Sequence, residues 1–251
     1  MKKNTMTLMA AGVCAAVVAQ VANAAPVSLY SQNFDSMPNG ATASLPTNWL
    51  FFAGASPTYT GVTTSATTVA AGTFGSGIVN GSSTGGNYEW VNGVSGSGAD
   101  KAIGFLTSSG TAGPRSILFK MTNDTGYNMN TGTVSWDYEK YRSGTRQFDW
   151  TFFSSTDGST WHSVPLGDQS YAADANNTTV SNPPTTISKS VTVTESVNNG
   201  SSLYLRWTYT GLAGSSNAQG LGLDNFVIVP APGAVALIGL AGMVGSRRRR
   251  N

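Results

Sequence analysis

The chain has 251 residues, of which 10% are charged, and its formal net charge is +2. Its single cysteine and single histidine disfavour Cys/His zinc sites, thiol catalysis and most histidine relays. Six of the basic residues lie in the two end segments, so residues 25–229 carry eight basic against twelve acidic side chains. This acidic middle has no basic patch that could hold phosphates, which disfavours nucleic-acid binding.

The N-terminal segment has the pattern of an export signal. Lys2 and Lys3 precede an apolar run from Met6 to Ala22. The run ends in Ala22-Asn23-Ala24, a small-x-small cleavage pattern. We therefore expect a signal peptide over residues 1–24, removed by signal peptidase after Ala24. The alternative is an N-terminal membrane anchor, for which the run is shorter than the roughly 20 residues that a bilayer span needs.

Residues 25–229 show the period-two alternation of β-strands. In TVSWDYE, Val134, Trp136 and Tyr138 share one face, and RQFDWTFF and SLYLRWTY repeat the pattern from Arg146 and Ser202. LGLDNFVIV is apolar on both parities, which indicates a central strand covered on both faces. Further strand candidates lie near 27–34, 48–53, 101–106, 115–122 and 186–194.

About ten strands and no helix predict an all-β domain, a two-sheet sandwich of the jelly-roll type over residues 25–229. The low-complexity stretches 61–86 and 172–185 are expected to be long surface loops. Because jelly rolls commonly pair the chain ends, residues 27–34 and 221–229 are predicted to lie side by side. All six tryptophans fall in this domain, which has no cysteine and must rely on its core.

The strand carrying Asp137 and the strand carrying Asp149 are expected to form a hairpin. With both apolar faces toward the core, Asp137 lies directly opposite Asp149 on the outer face, and Glu139 comes next. Like charges at about 5 Å are unfavourable unless a cation lies between them. Arg206 is one candidate partner, and Arg142 and Arg146 are two others.

Three interpretations of these carboxylates remain open. The first is a structural ion-pair cluster, and the second is a ligand or sugar site formed by Asp137, Glu139, Asp149 and Arg206. The third is a retaining glycosidase, because its two carboxyl groups are also about 5 Å apart.

The stretch SSTDGSTW predicts a tight hairpin turn. Asp157-Gly158 is a sequence typical of such turns, and Trp161 is expected to pack beneath it. The chain's one histidine, His162, follows directly and is expected to be a surface side chain.

The C-terminal segment, residues 230–251, combines three features. The apolar run from Ala234 to Gly245 is too short for a comfortable span, and the basic cluster after it would stay in the cytoplasm. A short proline-containing motif precedes the run. The motif residues are Pro230, Ala231, Pro232 and Gly233, and the cluster residues are Arg247, Arg248, Arg249 and Arg250.

This order of motif, apolar helix and arginines resembles the PEP-CTERM sorting signal of bacterial envelope proteins, with Ala231 where that family has glutamate. The resemblance implies recognition by an exosortase, a membrane-embedded transpeptidase-like enzyme, and cleavage near the Pro-x-Pro. The alternative is a plain C-terminal anchor.

Three stretches of the domain resemble the concanavalin- or lectin-like jelly-roll domains that PEP-CTERM proteins often carry. They are NFDSMPNG...LPTNW, VSWDYEKYRSG...FDWTFFSSTDGSTW and LYLRWTYTG...GLGLDNFVIV. The resemblance implies a scaffold at the cell surface more than an activity. It also implies a structural calcium near the first and last strands, where Asp35 and Asp224 could supply ligands. The alternative is that Asp224 accepts backbone N–H bonds from the loop at 35–40.

The sequence thus predicts a non-enzymatic protein of the cell envelope or extracellular matrix, transiently anchored in the membrane and in contact with extracellular polysaccharide. The alternative is a secreted polysaccharide-active enzyme that uses the clustered carboxylates. A lectin-like domain should show an open aromatic face or a loop groove, whereas an enzyme should show a deep cleft with two carboxylates.

Overall fold

The structure is a computed structural model. The expected signal peptide and almost all of the expected sorting segment lie outside the residues that it describes, although Pro230 is included as the last residue of a strand. The described residues are 28–38, 44–59, 74–76, 85–91, 100–106, 113–130, 132–175, 180–214 and 218–230.

Thirteen β-strands make up the described part of the chain, together with one turn of 3-10 helix at Pro165–Gly167. The strands are β1 Tyr30–Gln32, β2 Trp49–Ala53, β3 Phe74–Ser76, β4 Gly86–Val91, β5 Lys101–Leu106, β6 Arg115–Thr122, β7 Gly132–Arg142, β8 Arg146–Ser155, β9 His162–Ser163, β10 Gln169–Tyr171, β11 Val180–Val193, β12 Ser202–Gly214 and β13 Gly220–Pro230.

The strands form two sheets. The first has the order β11-β7-β13-β5-β4-β3, with β1 also paired to β13. The second has the order β10-β8-β12-β6-β2, with β9 also paired to β8. All pairings are antiparallel except that of β3 with β4. From β5 to β8, and again from β11 to β13, each strand lies in the sheet opposite its predecessor, as in a jelly roll. The predicted all-β, two-sheet sandwich is confirmed.

The core between the sheets is rich in aromatic rings. Trp136 and Phe152 have ring centroids 4.5 Å apart, and Trp49 stacks on Trp207 at 5.8 Å. Each such ring removes a large apolar area from water, so the domain gains its stability from aromatic packing. The inward residues predicted from the alternation, Trp136 among them, are buried.

The predicted hairpin between Asp137 and Asp149 is wrong. β7 pairs with β11 and β13 in the first sheet, whereas β8 pairs with β10 and β12 in the second. Residues 143–145 carry the chain across the sandwich, so the apolar faces meet through the core, and Tyr138 stacks on Trp150 at 5.5 Å. The two carboxylates therefore lie on opposite outer faces of the molecule. Alternation shows which face of a strand is buried. It does not show whether two strands pair within one sheet or belong to opposite sheets and pack across the core.

The first and the last strand lie side by side, as predicted for residues 27–34 and 221–229. Tyr30 is in register with Ile228, and Gln32 with Phe226, so β1 pairs with β13. The predicted central position of β13 is also confirmed, because it pairs with β7 and β5.

Two predicted loops contain strands. β3 lies inside the stretch 61–86, and β11 begins at Val180, inside the stretch 172–185. β11 is an edge strand whose outer side chains are small and polar, which weakens its alternation in the sequence. Thr186, Ser188 and Ser190 are exposed there. Two prolines also interrupt it, which an edge strand tolerates.

Candidate functional site

The outer face of the first sheet gathers aromatic, acidic and amide side chains. On β7, Trp136 and Tyr138 point into the core, so Asp137, Glu139 and Tyr141 project outward. On β13, Asp224 lies opposite Asp137 in register and shares the outer face. We call this surface the first outer face.

Three rings cross the first outer face as an aromatic stack of Tyr88, Trp90 and Tyr141. Trp90 is parallel to Tyr88 at 4.5 Å and to Tyr141 at 5.2 Å, with interplanar angles of 10°. Its indole N–H donates to the Leu221 carbonyl at 3.0 Å. A Cβ atom at Gly222 would lie 2.8 Å from the Trp90 ring, so the ring packs closely against the β13 backbone because that residue is glycine. All three rings are buried.

Two carboxyl groups lie buried beside the aromatic stack. The Tyr141 hydroxyl donates to Glu139 Oε2, whereas neither oxygen of Asp224 has a hydrogen-bond partner among the described residues. Burial, together with the charges of nearby acids, raises the pKa of Glu139 to about 7 and that of Asp224 to about 9. The Asn225 backbone N–H pulls the pKa of Asp224 down, but it does not reach hydrogen-bond geometry with either oxygen. At neutral pH Asp224 therefore carries a proton and is uncharged.

The open part of the first outer face is polar. The register of β13 shifts after Asp224, and Asn225 adopts a φ of 50° in this bulge. The Asn225 amide nitrogen donates to Asp137 Oδ2 at 2.9 Å. The Asn33 amide likewise donates to Asp35 Oδ2 at 2.6 Å. A carboxylate can only accept, so each amide turns its carbonyl oxygen away from its acid.

Beside these amides lies an open depression of about 290 Å³, which we call the polar depression. Its walls come from β1, β13 and the residue after β1. It is lined by Ser31, Gln32, Asn33, Asn225, Phe226 and Val227.

The structure brings together the two residues predicted to bind calcium, Asp35 and Asp224, closely enough that the charge on Asp35 raises the pKa of Asp224. Both Asp35 oxygens are engaged, because Oδ1 accepts the Lys101 backbone N–H at 2.9 Å and Oδ2 accepts Asn33. In the described ranges, no group of three or more His, Cys, Asp or Glu side chains is arranged to hold a metal ion. The alternative also lacks support, since Asp224 accepts no N–H from the described part of the 35–40 loop.

Arg206 and Asp149 belong to the outer face of the second sheet, which we call the second outer face. Arg206 lies over the rings of Phe153 at 3.8 Å and Trp161 at 4.7 Å. It has no ion pair with Asp149 or any other acid of the described residues. The arginine-bridged carboxylate cluster expected from the sequence is therefore wrong. Arg146 is also placed elsewhere, where it donates to the Leu212 carbonyl at 3.2 Å.

Asp157 and Gly158 lie in a hairpin connection as predicted, because β8 pairs with β9, but the connection covers residues 156–161 and is longer than the tight turn expected. Asp157 Oδ1 accepts the backbone N–H groups of Ser159 and Thr160 at 2.7 Å each, which lowers its pKa. Gly158 has a φ of 72°. His162 is exposed, as expected, and its Nδ1 lies 2.8 Å from Glu195 Oε1, which raises its pKa.

Sequence reasoning missed Tyr88 and Trp90 as site residues. They lie in NYEWV, where alternation puts both rings on one face, so a strand could have been found there. It is not among the predicted strands, because glycine- and serine-rich stretches flank it on both sides. Glu139, a predicted site residue, accepts the Tyr141 hydroxyl and lies near Asp224, whereas Asp149 and Arg206, with which the sequence grouped it, lie in the other sheet.

No family model and no curated protein sequence matches this chain. It is similar in structure to the K3 cleaved adhesin domain of Lys-gingipain from Porphyromonas gingivalis W83. The identity is 8%, the TM-score is 0.42, and the match covers 81% of this chain and 99% of that one.

It is also similar to the C-terminal family 22 carbohydrate-binding module of Clostridium thermocellum Xyn10B, with 8% identity, TM-score 0.40 and coverage of 84% and 95%. The N-terminal cellulose-binding domain of Cellulomonas fimi β-1,4-glucanase C matches with 12% identity, TM-score 0.33 and coverage of 77% and 97%. At these values the likeness assigns neither a ligand nor a residue to this chain. Within the described ranges, no helix has the length and apolar character needed to cross a membrane.

Proposed function

We propose that this protein is a non-enzymatic carbohydrate-binding module of the cell surface, and that the first outer face holds the sugar. The observation that carries the proposal is the polar depression, where Asn33 and Asn225 are both oriented by carboxylates. Sugar hydroxyls need acceptors at fixed positions, and side chains held by a second hydrogen bond on strands meet that need.

Each amide would accept a sugar hydroxyl through its Oδ1 atom. Asn225 is exposed, and its conformation is fixed by the bulge and by the bond to Asp137. The neighbouring outer side chains of β7 and β11 are hydroxyls, since Ser135 donates to Ser190 at 3.1 Å. These groups extend the polar surface across three strands, which suits an extended chain of sugars more than a single one.

The charges of this face favour a neutral polysaccharide. Asp35 and Asp137 each accept a hydrogen bond from an amide that lines the depression. A uronic acid or a sulfated sugar would bring a further negative charge next to them and would be disfavoured. Cellulose-like or xylan-like chains without charge are therefore the first probes to use.

A second candidate is a glycoside hydrolase, and the observation that favours it is the pKa of Glu139. A carboxyl group with a pKa near 7 suits a general acid. Asp149 is separated from it by the sandwich, so its partner would have to be an acid of the first outer face, Asp137 or Asp224. Release of reducing sugar by the wild type and its loss in Glu139→Gln would support this candidate over the binding module.

The binding proposal is tested with the purified full chain by calorimetric titration against neutral oligosaccharides of xylan and cellulose. We expect Asn225→Gly to weaken binding about tenfold or more, because glycine keeps the positive φ and removes the amide acceptor. Asp149→Asn, on the second outer face, is the control and should bind like wild type. Equal affinity of Asn225→Gly and wild type would refute this site.

Export and sorting complete the proposal. Residues 1–24 would direct export, and a PEP-CTERM-type tail over 230–251 would hold the protein for an exosortase. β13 ends at Pro230, so a tail would start directly at the edge of the sandwich. Changing Arg247 to Arg250 into serine should cause full secretion or mislocalisation, measured by fractionation. Normal sorting of that variant would contradict the proposed role of the arginines.

A further inference from the structure

The second outer face contains a buried cation that the carbohydrate proposal does not use. Arg206 projects outward from β12 and is only 3% exposed. Nε and Nη1 are buried without a hydrogen-bond partner, and no acid forms an ion pair with Arg206 among the residues described. Burial lowers its pKa only to about 10, so the guanidinium stays charged at neutral pH.

Aromatic rings hold this cation in place. Arg206 lies 3.8 Å from the centroid of the Phe153 ring and 4.7 Å from that of Trp161. Such contacts offset part of the cost of burying a charge, but they satisfy none of the five N–H donors of the guanidinium. The N–H groups of Nε and Nη1 therefore lack an acceptor among the described residues.

The segment that carries Trp161 is hydrogen-bonded to a second segment, residues 57–59. The Trp161 indole N–H donates to the Pro57 carbonyl at 2.8 Å, and the Tyr59 backbone N–H donates to the Gly158 carbonyl at 2.6 Å. Trp161 is thus fixed over the sheet by a hydrogen bond of its own. A binding group supported in this way is preorganised, which lowers the entropic cost of taking up a ligand.

The acidic side chains of this neighbourhood already have hydrogen-bond partners. Asp157, in the turn before Trp161, accepts the N–H groups of Ser159 and Thr160. Glu195 accepts Ser154 Oγ at 2.7 Å and pairs with His162. Neither carboxylate contributes to the pKa of Arg206, which burial alone shifts.

We propose that Arg206 is the anchor of an oxyanion site on the second outer face, which takes the carboxylate or sulfate group of an acidic ligand. A guanidinium presents parallel N–H groups that match the two oxygens of such a group. The site is separate from the polar depression, because the two faces belong to different sheets. The protein would therefore hold neutral sugar on one face and an anionic group on the other.

The test uses the full chain and sodium sulfate at constant ionic strength, balanced with sodium chloride. We expect a saturable rise in melting temperature for wild type and no saturable rise for Arg206→Met, which keeps an apolar side chain against the two rings. Arg146→Met is the matched control and should respond like wild type. Sulfate stabilises many proteins unspecifically, so the difference between variants carries the result.

A direct measurement covers the case in which Arg206→Met does not fold. In the wild type, the Nε–H resonance of Arg206 should shift on addition of sulfate and reach saturation. A weak site would have a dissociation constant on the order of 1 mM. If the resonance does not shift at sulfate concentrations up to about 100 times that value, the proposal is overturned. An equal saturable rise in melting temperature for Arg206→Met and wild type would overturn it as well.

A second arm identifies the source of the anion. An oligosaccharide containing glucuronic acid is compared with its neutral counterpart in the Asn225→Gly background, which removes the first site. At least tenfold tighter binding of the acidic sugar, lost on adding Arg206→Met, assigns the site to acidic polysaccharide. A response to sulfate alone assigns it to a free inorganic ion. If neither ligand binds, the site does not exist, whatever the outcome on the first outer face.

Discussion

The two outer faces of the sandwich bury charged residue types in opposite ways. On the first, Asp224 and Glu139 are buried beside one another, and burial raises the pKa of both. On the second, Arg206 is buried against two rings, and burial lowers its pKa only to about 10. A carboxyl group can escape the cost of burial by taking up a proton at neutral pH, whereas a guanidinium cannot lose one. Burial thus leaves Asp224 uncharged at neutral pH and Arg206 charged, and the proposed oxyanion site would supply the counter-ion that Arg206 lacks.

The largest expected effect concerns the rings that cause this burial. Trp90 is fully buried against the β13 backbone, and Trp161 is only partly buried. We expect Trp90→Ala to lower the free energy of unfolding by about 3–5 kcal/mol, because it leaves a cavity between two stacked tyrosines. Trp161→Ala should cost clearly less. Urea denaturation of both variants measures this difference. Equal losses in the free energy of unfolding would show that the two tryptophans contribute equally to stability.

The fold was accessible from the sequence where alternation is strong. TVSWDYE and LGLDNFVIV predicted strands, buried faces and the central position of β13, and the pairing of the chain ends followed from the fold class. Pairing within a sheet was not accessible for β7 and β8, because the same alternation fits a hairpin and a pair facing across the core.

The candidate site was accessible only in part. Glu139 and Asp224 were singled out as acids on strands, but their proximity depends on the register of β13 against β7. The bulge that turns Asn225 outward has no signature in the letters around it. The strand that carries Trp90 was not predicted, because it is short and flanked by glycine and serine.

The second prediction sharpens the contrast through pH. The folded pKa of Asp224, about 9, lies above its usual value, so the folded state binds more protons than the unfolded state between about pH 4 and pH 9. Its stabilising contribution is complete below pH 4 and is lost as the pH rises through 9. We expect the free energy of unfolding to fall over pH 5–8 by at most about 1.4 kcal/mol per pH unit from this group.

Two variants distinguish the contributions of the two outer faces to this pH dependence. Asp224→Asn removes the titrating group and should flatten the decline, while Glu139 leaves a smaller one that levels off above its pKa of about 7. Arg206→Met should leave the slope over pH 5–8 unchanged, because the pKa of Arg206 lies above that window. An undiminished slope in Asp224→Asn would mean that Asp224 is ionised in the folded protein.

The smallest expected effect tests whether the Asp224 carboxyl group is neutralised by a proton or by a calcium ion. A calcium ion takes about six to eight oxygen ligands and favours ionised carboxylates. Asp35 has both oxygens engaged by N–H donors, and Asp224 is protonated at neutral pH, so the pair offers calcium little. We expect excess calcium to move the melting temperature at pH 7 by less than about 1 °C relative to chelator. A rise of several degrees in wild type that disappears in Asp224→Asn would show calcium bound at this pair. The carboxyl would then be neutralised by a metal ion, and the two faces would differ only in the sign of the counter-ion that each requires.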